Sequence, residues 1–177
     1  MTFPDGKRVM HIDTSCKLYE KADTGIAYKI VKINDHRGLA LSNKLKRKLD
    51  NELWAYEDYP RLYAICIYYI IREDLDKFDI LVICGDEHFL SVKLYLDQLF
   101  IKSEKYLKKV VISISRLREI TGDSRLKSYA HSACNLYRRK GLKTLRKKQR
   151  GIQLNQVDLH YSMIKDKWRE LNKISKK

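Results

Sequence analysis

Two aspartates stand where an apolar run meets a carboxylate: Asp13 in "HIDTS" and Asp86 in "ICGDE". Asp13 lies between Ile12 and Thr14 inside a strand-like alternation, where an unpaired carboxylate is costly to bury. Asp86 closes the run "FDILVIC", and the tips of parallel strands are where α/β folds place reactive groups. Its alternative role is to cap the helix that follows. If the two strands are neighbours, the carboxylates converge, repel each other and need a cation between them. A divalent ion such as Mg²⁺ or Mn²⁺, held by oxygen ligands, resolves that conflict. A pair of such ions also stabilises both the attacking and the leaving oxygen of a phosphodiester displacement.

The elements that must position these groups follow from periodicity. "KRVMHIDTSCKLY", "IAYKIVKI" and the short "LAL" alternate as strands, separated by the turn signals "KADTG" and "NDHRG", and so predict an antiparallel three-strand meander. His11 falls two residues before Asp13 and shares its face. The period then changes: Leu45, Leu49, Leu53 and Tyr56 recur at helical spacing after a Ser42 or Asn43 cap. Pro60 opens a second apolar segment, "PRLYAICIYYIIRED", read as a helix buried nearly all round. "LDKFDILVICGD" reads as a central strand, "EHFLSVKLYLDQLF" as an amphipathic helix, "KKVVISIS" as a strand and "SRLKSYAHSACNLYRR" as a helix. A final stripe of Val157, Tyr161, Ile164, Trp168 and Leu171 predicts a helix docked on the body or on a partner. The expectation is an α/β protein with a domain over 1–140 and a basic helical C-terminal extension over 141–177.

Composition bounds the function. With 44% hydrophobic and 33% charged residues the chain can bury a core, and its longest apolar run, Leu62 to Ile71, is about half of what a membrane span needs. The N-terminus lacks the apolar region of a secretory signal, and Cys16, Cys66, Cys84 and Cys134 are scattered singly. A reduced, cytoplasmic protein is expected. The net charge of +15 is clustered: Arg138 to Lys177 holds 14 basic and 3 acidic residues. That pattern implies a polyanionic partner, most simply nucleic acid. The run "RRKGLKTLRKKQR" supplies Arg138, Arg139, Lys140, Lys143, Arg146, Lys147 and Lys148 as candidate phosphate contacts. The chain's twelve tyrosines are a second resource, since their rings can stack on bases. Tyr63, Tyr68 and Tyr69 read as core.

Over residues 7–140 this layout resembles the ribonuclease H-like superfamily. It has an aspartate in strand one ("HIDTS"), a meander, a helix, a strand ending in aspartate ("ICGDE"), then helix, strand and closing helix. The resemblance implies a mixed sheet, meander plus parallel strands, flanked by helices. It also implies two Mg²⁺ or Mn²⁺ ions held by Asp13, Asp86, a first-helix glutamate and a closing-helix ligand. Glu57 in "AYEDY" matches the glutamate position, with Glu52 and Asp58 as rivals. His131 in "SYAHSACNLYRR" matches the closing ligand, with Asp123 as its rival. The back half is also similar to PIN and NYN nuclease domains, whose strand ends in S-G-D-x-D-F, with His88 standing at their second aspartate. Both resemblances imply a metal-dependent nuclease that uses Asp13 and Asp86. The alternatives are a non-catalytic nucleic-acid-binding protein on the same fold, and an interaction module that self-associates or docks a partner through the Trp168 helix.

Overall fold

The computed structural model describes residues 6–33, 35–55, 58–84, 88–141 and 155–174. Its frame is a five-stranded mixed sheet: β1 (Val9–Thr14), β2 (Thr24–Ile30), β3 (His36–Leu41), β4 (Ile80–Ile83) and β5 (Val110–Ser113), in the order β3-β2-β1-β4-β5. The meander is antiparallel, with Asp13 opposite Ala27. β4 and β5 add in parallel on the other side, with Ile12 opposite Ile83. The Cys84 amide continues that ladder by donating to the Ile12 carbonyl at 2.8 Å. The strand carrying Asp13 and the strand leading toward Asp86 are therefore direct neighbours.

Being central, β1 is buried on both faces, and its alternation sorts two cores. Met10 and Ile12 face the larger one, with Ile26, Tyr28, Leu39, Leu41 and Leu81 from the flanking strands. α1 (Asn43–Leu53), α2 (Tyr59–Ile71), α3 (Phe89–Leu99) and the C-terminal helix cover this face. Ser42 caps α1, its hydroxyl accepting from the Leu45 amide at 3.0 Å. Asp58 caps α2 one residue ahead of the Tyr59-Pro60 start. The apolar segment opened by Pro60 is a helix as expected, and it buries residues nearly all round.

The opposite face of β1 presents Val9, His11 and Asp13. A short helix, α4 (Glu104–Leu107), leads into β5. The strand expected over "KKVVISIS" stops at Ser113, whose hydroxyl accepts from the Arg116 amide and starts α5 (Ile114–Thr121). Gly122, in the left-handed region at φ 68°, ends that helix. The closing helix expected from Ser124 begins only at His131 as α6 (His131–Leu136) and widens into a π turn over Tyr137–Gly141. Asp123 explains the delay: its side chain accepts from the Arg125 amide and its carbonyl from the Leu126 amide, holding a turn where a helix was expected.

The C-terminal helix, α7 (Tyr161–Ile174), sends Ile164, Trp168 and Leu171 into the large core. Arg61 of α2 lies 4.8 Å over the Trp168 ring. The apolar stripe is satisfied by the chain itself, on the body side of the two expectations.

α6 lies unusually close to β2. A Cβ built on Gly25 would stand 2.1 Å from the Cys134 carbonyl oxygen and 2.6 Å from the Arg138 nitrogen, both backbone atoms that cannot turn aside. Gly25→Ala must therefore lift α6 from the sheet. We expect a destabilisation of about 2 kcal/mol or more, measured by urea unfolding, where an unchanged midpoint would refute the close approach.

Candidate active site

β1 and α6 bring together the first and last of the predicted ligands. Asp13, at the C-terminal end of β1, is 7% exposed. Its Oδ1 accepts from the Thr14 amide at 2.8 Å, and its Oδ2 lies 3.6 Å from Nδ1 of His131 in the first turn of α6. The His131 side chain is largely exposed, so the pair joins a buried acid to a solvent-facing base. Cys134, one turn along α6, donates its thiol to the Asp13 carbonyl at 2.9 Å and locks the helix over the strand. His11 shares the Asp13 face, as the two-residue spacing requires. It packs edge-on against Tyr129 with Nδ1 3.8 Å from the Cys84 sulfur, and burial lowers its pKa to about 4. The floor around Asp13 is thus uncharged: burial pushes the Cys84 thiol up to about 12 and that of Cys134 well above its ordinary value.

Burial likewise raises the Asp13 pKa, opposed by the Thr14 amide, the Ser128 hydroxyl and His131. A second carboxylate of equal exposure calibrates this. Asp74, also 7% exposed, accepts from Tyr28 at 2.9 Å and pairs with Arg37 at 3.2 Å and Lys77 at 3.0 Å. Burial there is outweighed by Lys77, Tyr28 and Arg37, and its pKa is lowered. Among the described residues no lysine or arginine pairs with Asp13.

The pair opens into a groove of about 880 Å³. One wall is the β1–β2 connection, with Cys16, Lys17 and Glu20; the other is α5 and the turn before α6, with Arg118, Lys127 and Ser128. Arg118 is held by its Nε donating to the Leu126 carbonyl at 3.0 Å. Arg138 reaches the first wall, its Nη1 2.6 Å from the Cys16 sulfur.

The remaining predicted residues divide. Glu57 and Asp86 lie outside the described residues, as do Lys143, Arg146, Lys147 and Lys148. Glu52 is exposed and receives the Tyr161 hydroxyl and Lys48 on the other side of the sheet. Asp58 is committed to capping α2, to Arg61 and to Tyr95. Asp123 is exposed and holds the turn after α5. Arg139 and Lys140 are exposed on the π turn. His88 precedes α3, exposed and without a side-chain cap. Among the described residues no group of three or more His, Cys, Asp or Glu side chains is placed to hold a metal ion, and no helix is long and apolar enough to cross a membrane. Ser128, Lys17, Arg118 and Lys127 were not singled out from sequence, because only the fold gathers them.

Comparison of the chain with protein-family models, curated proteins and solved structures finds no match.

A carboxylate whose folded pKa is raised costs the native state stability as pH climbs from its ordinary value to the raised one, and the cost is complete above that. Asp13→Asn should therefore raise the melting temperature by a few degrees at neutral pH. The gain should fade as pH falls from that raised value to the ordinary carboxylate range, below which both side chains are neutral in folded and unfolded chains alike. A lower melting temperature for the variant at pH 7 would contradict the cost assigned to Asp13.

Proposed function

We propose that the protein is a Mg²⁺- or Mn²⁺-dependent nuclease of ribonuclease H-like fold, acting on a phosphodiester at the Asp13 end of the groove. The observation that carries this reading is the meeting of Asp13 from β1 with His131 from α6, beside a basic groove, on a sheet ordered β3-β2-β1-β4-β5. The mixed sheet of meander plus parallel strands, with Asp13 on the first strand and His131 on the closing helix, supports this reading.

The residues present fit a hard divalent cation. Asp13 offers a desolvated carboxylate oxygen with no lysine or arginine partner among the described residues, and His131 adds an imidazole nitrogen 3.6 Å away. Asp86, three positions past the end of β4, and Glu57, just before α2, would complete the set. When bound, the cations supply charge neutralisation at the scissile phosphate and an activated water. The chain's own part is to hold Asp13 rigidly on a central strand, to keep its surroundings free of competing charge, and to draw the phosphate backbone along Lys17, Arg118 and Lys127.

A non-catalytic nucleic-acid-binding protein is the second reading, favoured by the absence of a third ligand among the described residues. The test is cleavage of end-labelled single-stranded, duplex and hybrid oligonucleotides with Mn²⁺. The wild type should cut at least one substrate, Asp13→Asn should abolish cutting, and His131→Ala should lower it at least about tenfold, the scale on which lost metal-site support acts. Full activity in Asp13→Asn would end the nuclease proposal. Salt-dependent binding with no cleavage of any substrate would favour the second reading.

A further inference from the structure

The sheet has two edges, and the chain treats them differently. At β3 the Gly38 amide donates to the Asn155 carbonyl at 3.3 Å and the Val157 amide donates to the Gly38 carbonyl at 2.9 Å, so the C-terminal segment covers that edge. At the other edge, β5 pairs only with β4 among the described residues. The Val110 amide donates inward to the Asp79 carbonyl at 3.1 Å, and the alternation of a strand then turns the Val111 amide and carbonyl outward. An uncovered edge of this kind is a template for another strand.

Beside that edge, on the sheet face opposite Asp13, a groove of about 360 Å³ lies between α3, α4 and β5. Val111 lines it, with Leu94 of α3, Ile101 just beyond that helix and Leu107 of α4. The last three are 56%, 61% and 58% exposed, an apolar cluster that the chain's own core leaves in water. From these features we infer that the groove docks an extended segment of a partner protein. The segment adds to β5 as a sixth strand, sets aliphatic side chains among Leu94, Ile101 and Leu107, and carries acidic residues at its ends.

Charge selects that partner. Residues 102–109 hold four lysines and one glutamate. Lys105 is neutralised by Asp76 at 2.7 Å, and Lys93 on the opposite wall by Asp97. Lys109 donates to the Phe78 carbonyl at 2.7 Å, which leaves its charge uncompensated, and Lys102 and Lys108 are exposed with no carboxylate partner among the described residues. A second copy of the chain would set two such lysine-rich segments against each other, whereas an acidic segment would neutralise them. A lipid surface would also attract the lysines, but it would leave the outward Val111 amide and carbonyl without partners. A strand satisfies all three features at once: main-chain bonds at the edge, apolar side chains in the groove and carboxylates at the lysines. This surface is separate from the Asp13 groove and stands or falls apart from the nuclease reading.

The experiment is fluorescence anisotropy of the full chain with a labelled peptide of alternating valine and threonine that carries two glutamates at each end. Its counterpart with lysines at each end is the control. The glutamate peptide should bind and the lysine peptide should not. Leu94→Ser and Leu107→Ser, at exposed positions the fold does not need, should each weaken binding on the order of tenfold, the scale of one aliphatic side chain returned to water. Lys102→Glu and Lys108→Glu should each weaken it roughly threefold at low salt. Hydrogen exchange at the Val111 amide should slow at least about tenfold when the peptide is bound, as a newly paired edge requires. No binding of the glutamate peptide, equal binding of the lysine peptide, or binding without slowed exchange at Val111 would overturn the proposal. So would a dimer in sedimentation equilibrium that Leu94→Ser abolishes, which would give the groove to a second copy. Leu94-dependent cosedimentation with equimolar phosphatidylcholine–phosphatidylserine vesicles, in place of peptide binding, would give it to a lipid surface.

Discussion

Two carboxylates with the same small exposure, Asp13 on the central strand and Asp74 in the connection after α2, meet opposite electrostatic fates, and the site follows from that contrast. Asp74 is desolvated but receives a tyrosine hydroxyl, a guanidinium and an ammonium, so its charge is held at low cost. Asp13 is equally withdrawn from water and receives an amide, the Ser128 hydroxyl and an exposed imidazole. A fold that can neutralise a buried aspartate in one place leaves another without a permanent cation. Natural chains tolerate such a penalty where a charge is used.

Keeping Asp13 in that state requires rigidity on every side. β1 is clamped between β2 and β4, and α6 presses onto β2 at Gly25 so closely that no side chain fits between them. The connection that forms the first groove wall is tied from the opposite side by Lys46. Its ammonium donates to the Leu18 carbonyl at 3.1 Å, the Glu20 carbonyl at 2.6 Å and the Thr24 hydroxyl at 3.0 Å. Burial pulls the Lys46 pKa down, yet all three of its protons are engaged, so removing it would free the segment that bears Lys17, Tyr19 and Glu20. A helix residue thereby sets the geometry of a wall made by a loop.

The meander, the helix after Pro60, the central β4 and the apolar stripe of the last helix were legible because each carries its own period or punctuation. α5 was not, since Ser113 both ends a β-branched run and caps the next turn, and a run of residues cannot reveal which role prevails. Asp13 was legible as a carboxylate in apolar company, and His131 only through resemblance, because nothing local distinguishes it from a packed histidine. The rivals Glu52, Asp58 and Asp123 were equally acidic in sequence and differ only in what the fold gives them to bond. The Lys17, Arg118 and Lys127 trio was hidden for the opposite reason. Three isolated cations attract no notice beside a dense basic run, and their convergence is a property of the tertiary fold alone.

On the proposed function, the positions of the cations would let one small site attract a polyanion without neutralising its own acid. Had Arg118 or Lys127 been in contact with Asp13, it would have closed the carboxylate into an ion pair like that of Asp74, and both charges would be spent on each other. Instead the cations line the groove and the anion sits at its floor, among neutral thiols and a neutral imidazole that do not screen it. On that reading, attraction for phosphate and for a metal ion would reside on different atoms a short distance apart. A bound phosphodiester would draw the rim cations to itself and leave Asp13 still in need of positive charge, so polyanion and divalent cation would each favour the other's binding.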